Sequence, residues 1–281
     1  MKNIFIILNY NDSATTISYL KNIKKFKNVD NIIVIDNCST DNSLNDLYKV
    51  KSNKVEILKT NQNKGYAYGN NYGIKYAIKK YHNCNLIISN PDIIIDEITF
   101  NSLINKISND SDISLIAPTI KENGVLNRGW KLPTAFNELM LSIPHFATKY
   151  KDNHILYKED YYKNDISKVD VVSGCFFIIK SEVITKINYF DENTFLYYEE
   201  NILAQKLKEK GYKTYISNKD YIIHNHSISI NKSVNELKKF KLLKQSQEYY
   251  LKNYCHSNIF INILIKIFEK IIILNIKLKF K

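Results

Sequence analysis

Residues 32–39 read Ile32-Ile33-Val34-Ile35-Asp36-Asn37-Cys38-Ser39, an unbroken apolar run that stops on an acid, an amide, a thiol and a hydroxyl. A run without polar alternation is the pattern of a strand covered on both faces. Short strand-like runs recur on either side of it. Residues 4–8 are apolar and lead into Asn9-Tyr10-Asn11, residues 55–58 lead into 61–65, and residues 86–89 lead into Asn90-Pro91-Asp92. Helical patterns separate these runs: 13–26, with Ile17, Leu20 and Ile23 on one face, then 41–50, capped by Ser39 or Thr40, and 69–81. Strand–helix alternation of this kind predicts an α/β fold, a mostly parallel sheet with helices on both faces. Ligands of such sheets bind beyond the carboxyl ends of the strands, which is where all four polar clusters fall.

Further along, 96–107 reads as a helix and 113–116 as a strand. Residues 121–165, with Pro133, Pro144 and Trp130, read as an irregular excursion closing over that rim. Strands are expected at 169–172, 176–179, 214–217 and 221–223, and a helix at 200–210 stopped by Gly211. The expected organisation is a catalytic domain over 1–227, its nucleotide-binding half about 1–120 and its acceptor-binding half about 121–227. A helical basic extension follows over 228–281.

Composition narrows the function. The 281-residue chain is 44% apolar, enough for a sizeable core. Its net charge of +12 attracts phosphates, anionic membranes or nucleic acid. Arginine, the usual reader of bases, occurs once, at Arg128, and no nucleic-acid motif is present, so nucleic acid is set aside. The four cysteines form no CxxC pair and suggest reduced thiols in a cytoplasmic protein rather than a zinc site or a disulfide framework. The first apolar run is too short for a signal peptide, and no stretch reaches the ~18 apolar residues of a membrane span.

Three segments carry chemistry. Pro91 ends its strand, which leaves Asp92 at the rim, as a metal-binding acid or a plain turn residue. Glu199 and Glu200 open a helix. Acids favour that end for electrostatic reasons alone, but a general base would sit there too. His224 ends a strand, as a satisfied core residue or as a ligand to metal or phosphate.

Taken together, these segments resemble the family 2 glycosyltransferases, especially a rhamnosyltransferase-like branch. The resemblance runs through Ile7-Leu8-Asn9-Tyr10-Asn11, Val34-Ile35-Asp36-Asn37-Cys38-Ser39-Thr40-Asp41, and Asn61-Gln62-Asn63-Lys64-Gly65-Tyr66. It continues through Asn90-Pro91-Asp92, a variant DXD motif, then Val169-Asp170-Val171-Val172-Ser173-Gly174, and Phe190-Asp191-Glu192 through Tyr197-Tyr198-Glu199-Glu200 to His224. It implies a GT-A fold with a C-terminal helical tail, and an inverting, metal-dependent transfer of a hexosyl or deoxyhexosyl unit in bacterial surface glycan synthesis. The donor would be a nucleoside-diphosphate sugar and the acceptor a glycan or lipid-linked oligosaccharide. The branch implies rhamnosyl transfer.

The residue roles follow from the resemblance. Asn9, Tyr10, Asp36, Asn63 and Gly65 would bind the donor nucleotide. Asp92 would hold Mg²⁺ or Mn²⁺, with His224 as a further ligand. Glu200 would be the base, preceded by Glu199, and Asp170 and Gly174 would lie on the acceptor side. Two positions depart from the pattern: Ile202, where many relatives carry an Asp, and Val171, where many carry an aromatic. The alternatives are a sugar-phosphate nucleotidyltransferase, which needs a glycine-rich phosphate loop where this chain has Asn9-Tyr10-Asn11-Asp12, and a non-catalytic, membrane-associated degenerate transferase. From Asn258 onward, Asn262, Lys266, Glu269, Lys270 and Lys277 share one helical face and Ile, Leu and Phe fill the rest. That helix either packs on the catalytic domain or a partner subunit, or lies peripherally on the inner face of an anionic membrane.

Overall fold

The structure, a computed structural model, describes residues 1–122, 124–224 and 236–279. The first half alternates as its pattern predicts: β1 (Lys2–Asn9), α1 (Ser13–Ile23), β2 (Asn31–Asp36), α2 (Ser43–Tyr48), β3 (Val55–Lys59), α3 (Tyr66–Tyr81) and β4 (Cys84–Ser89). Then come β5 (Ile93–Ile94), α4 (Glu97–Asn109), β6 (Leu115–Glu122) and β7 (Val125–Asn127). The excursion carries α5 (Ala135–Leu141) and α6 (Ala147–Tyr150). It is followed by β8 (Ile166–Val169), β9 (Phe176–Lys180), α7 (Ser181–Lys186), α8 (Glu199–Glu209) and β10 (Thr214–His224), and the chain closes with α9 (Glu236–Asn253) and α10 (Ile259–Lys279). The expected boundary at 227/228 lies outside the described residues.

The strands form one sheet in the order β3-β2-β1-β4-β9-β6-β10-β5. β1 to β4 are mutually parallel, and β10 is parallel to β6. β9, in the centre, runs antiparallel to both β4 and β6, so the sheet is mixed. Its direction was not readable from Phe176–Lys180, because a central strand is apolar on both faces whichever way it runs. The two strands expected at 214–217 and 221–223 are one strand, β10, with a bulge between Ser217 and Tyr221. The strand expected at 169–172 lies earlier, at β8, and residues beyond Val169 turn into the site.

Alternation along each strand splits the core in two. Phe5 and Ile7 pack on one face with Leu20, Phe100 and Leu103 of α1 and α4. Ile4 and Ile6 pack on the other with Ile74, Ile184 and Leu203 of α3, α7 and α8. Ile202 is also buried, so an aspartate at that position would place a charge in the core.

α9 packs on this body through buried Tyr250 and Leu251, with the Tyr250 hydroxyl donating to the Pro133 carbonyl at 2.9 Å. α10 touches it through Ile265, beside Leu139 and Leu251.

One loop locks the two halves of the rim. Gly65, before α3, has φ +99°, and a Cβ there would stand 2.0 Å from the Phe195 carbonyl oxygen. The neighbouring Tyr66 amide donates to that same carbonyl at 3.0 Å. Gly124 also has positive φ (+81°) but nothing within 4 Å. Gly65→Ala is therefore expected to cost about 2–4 kcal/mol of stability in denaturant unfolding, against about 1 kcal/mol for Gly124→Ala. Equal losses would show that the approach to Phe195 is not tight.

Candidate active site

The carboxyl end of the parallel half is tied together by side-chain amides. Asp36, at the end of β2, is wholly buried; its two oxygens accept from Asn9 Nδ2 and the Ser39 amide, each at 3.0 Å. Asn9 in turn accepts from Thr16 Oγ1 at 2.8 Å. Asn37 Nδ2 donates to Asn63 Oδ1 and to the Gly65 carbonyl, at 3.0 and 3.1 Å. Asn63 Oδ1 also receives the Gly65 amide. Asn9, Asp36, Asn63 and Gly65 thus form one connected rim, with the Tyr10 ring exposed beside it. Asp36 reaches that rim through its partners and does not itself line the main cavity.

Asp92 and His224 are brought together by sheet pairing. β5 pairs antiparallel with the end of β10, setting Ile93 opposite His224. Asp92 Oδ1 stands 3.3 Å from His224 Nε2. The geometry is not that of a hydrogen bond, and this oxygen is buried with no hydrogen-bond partner. An orphaned carboxylate oxygen beside an imidazole nitrogen fits a missing hard cation. Among the described residues no three His, Cys, Asp or Glu side chains could enclose a metal. A cation here would need oxygens from elsewhere, as Mg²⁺ and Mn²⁺ take them from diphosphate and water.

The acid pair is presented by an unusual turn. Tyr197 and Tyr198 both have positive φ, +75° and +68°, immediately before α8. Two successive left-handed tyrosines are costly and persist only when surrounding contacts hold them. The Tyr198 hydroxyl donates to buried Glu138 at 2.6 Å, and Gln247 Nε2 of α9 donates to the same oxygen at 2.7 Å. Ser246 of α9 donates to the Leu196 carbonyl at 2.8 Å. The C-terminal helix thus braces the turn that carries the acids.

Glu200 is half-buried, and its Oε1 accepts from the Gly174 amide at 3.2 Å. Tyr66 donates its hydroxyl to the Gly174 carbonyl at 2.6 Å. The next peptide completes the junction: the Asn90 amide donates to the Cys175 carbonyl at 2.8 Å. Burial lifts both acids above the ordinary carboxylate range. Glu199, almost fully buried with Oε1 unpartnered, is pushed to about 8 by burial and then by the charge of Glu200. The Gly174 amide favours the ionised form of Glu200. Glu199, raised to about 8, is the acid of the pair that favours its proton near neutral pH. Burial also pushes the Cys175 thiol up to about 12, and the charges of Asp92 and Glu200 both add to that shift. Those two carboxylates therefore act on one buried atom.

A cavity of about 460 Å³ opens over this junction. Asn90, His224, Gly174, Glu199 and Glu200 line it, with Tyr66, Tyr197, Trp130 and Arg128. Asp170, expected on the acceptor side, accepts from the Leu132 amide at 3.0 Å and so anchors the segment holding Trp130. Val171, which replaces the expected aromatic, pairs its backbone with Trp130.

The profile of glycosyl transferase family 2 matches residues 4–187. The chain belongs to that family. It is 27% identical over 199 residues to the low-salt glycan biosynthesis hexosyltransferase Agl10 of Haloferax volcanii, a match covering 69% of this chain and 58% of that protein. The chain thus spans less than two thirds of that relative. Among solved structures it resembles GalNAc-T7 with UDP, GalNAc and Mn²⁺, at TM-score 0.64 and 14% identity, covering 90% of this chain and 49% of that one. It also resembles the mannosyltransferase PcManGT of Pyrobaculum calidifontis with GDP-Man and Mn²⁺, at TM-score 0.59 and 12% identity, covering 90% and 64%. At these identities the likeness is one of fold, which is GT-A.

Several residues of the site carried no sequence signal that separated them from ordinary loop positions. Trp130 stands in an irregular excursion, Cys175 is one of four scattered cysteines without a motif, and Glu138 lies in a stretch with no motif. Tyr66 sat in a quoted motif but without a role. Their importance comes from contacts across 60 to 109 positions of chain, such as Tyr66 to Gly174.

The buried proton on Glu199 has a measurable consequence. A carboxyl whose folded pKa is raised binds its proton more tightly folded than unfolded, so its stabilising share is present below the unfolded value of 4.5 and is lost as pH rises to about 8. Glu199→Gln cannot ionise. Its melting temperature is expected to gain on wild type across that window, by ~2 °C or more at the alkaline end, in thermal unfolding scans. A gap that does not change with pH would contradict the assignment.

Proposed function

We propose that the chain is an inverting glycosyltransferase that moves a hexosyl or deoxyhexosyl unit from a nucleoside-diphosphate sugar to a glycan or lipid-linked acceptor of the bacterial surface. The observation that carries this is Glu200, fixed on the Gly174 amide in the cavity that also holds Asn90 and His224. The family membership and the nucleotide and Mn²⁺ named for both similar structures support it. The resemblance to the rhamnosyltransferase-like branch makes rhamnosyl transfer the narrower reading.

Asn9, Tyr10, Asp36, Asn63 and Gly65 form the nucleotide rim. Asp36 orders Asn9 and the Ser39 amide, and Tyr10 offers an aromatic face to the base. Asp92 and His224 would hold Mg²⁺ or Mn²⁺, which, when bound, neutralises the departing diphosphate. Glu200 takes the proton of the acceptor hydroxyl as that oxygen attacks the anomeric carbon and the bond to the diphosphate breaks. General-base assistance of this kind is worth ~10²–10⁴-fold. With one base and direct displacement, the anomeric configuration inverts. Glu199 keeps its proton, so no second charge opposes the ionised Glu200. Asp170 and Gly174 fix the acceptor wall from behind.

The second element of the proposal concerns α10. Phe260, Ile263, Leu264, Ile267, Ile271, Leu274 and Leu278 are exposed and share one face at three- and four-residue spacing. Lys266 and Lys270 border that face, and no helix among the described residues is long and apolar enough to cross a bilayer. A lysine-flanked apolar face suits the surface of an anionic membrane, where lipid-linked acceptors lie.

Two measurements test this. With a panel of nucleotide sugars and Mn²⁺, Glu200→Gln is expected to lower transfer at least ~10²-fold while donor binding by calorimetry persists, and Asp92→Ala to remove the metal dependence. Transfer undiminished in Glu200→Gln would remove the base assignment. The full chain is expected to sediment with vesicles of phosphatidylglycerol and phosphatidylcholine but not with phosphatidylcholine alone, and Ile267→Asp/Ile271→Asp to stay in the supernatant. Equal partition of both proteins would remove the membrane role.

A further inference from the structure

Trp130 is the only tryptophan of the chain, and no step of the proposed transfer involves it. It stands half-buried on the wall of the cavity that holds Glu199 and Glu200. Its position is set from both ends. The backbone exchanges two hydrogen bonds with Val171, each 2.9 Å, and bridges Leu156 on the other side. The indole Nε1 donates to Asn201 Oδ1 at 3.1 Å. Asn201 directly follows Glu200 in the first turn of α8, and Val171 lies three residues before Gly174, whose amide holds Glu200. The ring is thus fixed by the same two elements that fix the base.

A large aromatic left part-open in a cavity, with its one polar atom already satisfied, has only an apolar face to offer. Pyranoses match such a face: their axial C–H groups form an apolar side, while their hydroxyls point outward from the ring edge. We infer that Trp130 is the platform for the acceptor sugar, which lies with its C–H side on the indole and one hydroxyl directed to Glu200. This rests on the transferase reading. It makes Trp130 a binding residue that selects a pyranosyl acceptor over a simple alcohol or a bare lipid phosphate. The Asn201 bond acts as a brace that stops the indole from turning into the cavity.

A lone tryptophan makes the test direct. Emission excited at the red edge, where the 21 tyrosines are silent, reports Trp130 alone. With a nucleoside diphosphate and Mn²⁺ present, the wild-type chain is titrated with methyl glycosides of glucose, galactose, mannose, N-acetylglucosamine and rhamnose. At least one is expected to quench or shift the emission saturably. For that glycoside as acceptor, Trp130→Ala is expected to raise the acceptor KM about 10-fold or more and Trp130→Phe to restore part of it, while the donor KM moves far less. Silence of the emission toward every glycoside, or a rise in donor KM equal to that in acceptor KM, would overturn the platform. Donor turnover by the wild-type chain keeps the two readings apart. If no nucleotide sugar is turned over, with water or with any glycoside, the transferase reading itself fails; if one is, a negative emission result counts against Trp130 alone.

Discussion

A single glycine peptide holds the catalytic side of this molecule together. The Gly174 amide donates to Glu200, its carbonyl accepts from Tyr66, and the next carbonyl, of Cys175, accepts from the Asn90 amide. Three elements distant in the chain, the start of α3, the loop after β4 and the start of α8, therefore meet on two consecutive residues, Gly174 and Cys175. A side chain at position 174 would crowd the very carboxylate that the amide binds: a Cβ there would lie 3.0 Å from Glu200 Oε1. The absence of a Cβ lets the backbone approach the acid closely, and that approach gives one carboxylate of the pair a reason to be ionised when its neighbour is not.

The second constraint is the strained turn ahead of the acids. Consecutive left-handed tyrosines cost free energy that the local sequence does not return. The compensation comes from outside the sheet. Glu138, itself held by Gln247, accepts the Tyr198 hydroxyl, Lys244 donates to Gln247 at 2.8 Å, and the rings of Tyr198 and Tyr250 lie 5.4 Å apart. The C-terminal helix α9 is therefore a working part of the acid turn, whatever α10 beyond it rests on. Tyr249 and Tyr254 extend the same grip by donating to Asp191, at the start of the 190–200 loop.

Much of the parallel half was legible because its determinants are local. Apolar runs such as 32–35 can only be central strands, and the polar residues that end them fall on one rim by topology. The motifs that led to Asp92, Glu200 and His224 are partly gathered by the fold: sheet pairing puts His224 beside Asp92, and Glu200 shares a cavity with Asn90 and His224. What stayed hidden depends on contacts that no window of sequence contains. The antiparallel course of β9 looks like any buried strand. The buried Glu138 lies in the irregular excursion and carries no sign of burial until α9 is laid over it. Trp130 belongs to the site only because Val171 and Asn201 hold it there.

Asp92 Oδ1, buried without a hydrogen-bond partner, stands 3.3 Å from His224 Nε2, and these are the two side chains proposed to hold the cation. Anomalous diffraction at the manganese edge, from crystals soaked with Mn²⁺ and a nucleoside diphosphate, tests this directly. The account predicts one peak within ligand distance of both Asp92 and His224, bridged to the diphosphate, with the cavity toward Glu200 open for a sugar. A peak bound elsewhere, or a diphosphate seated away from Asp92 and His224 with no metal between them, would contradict it.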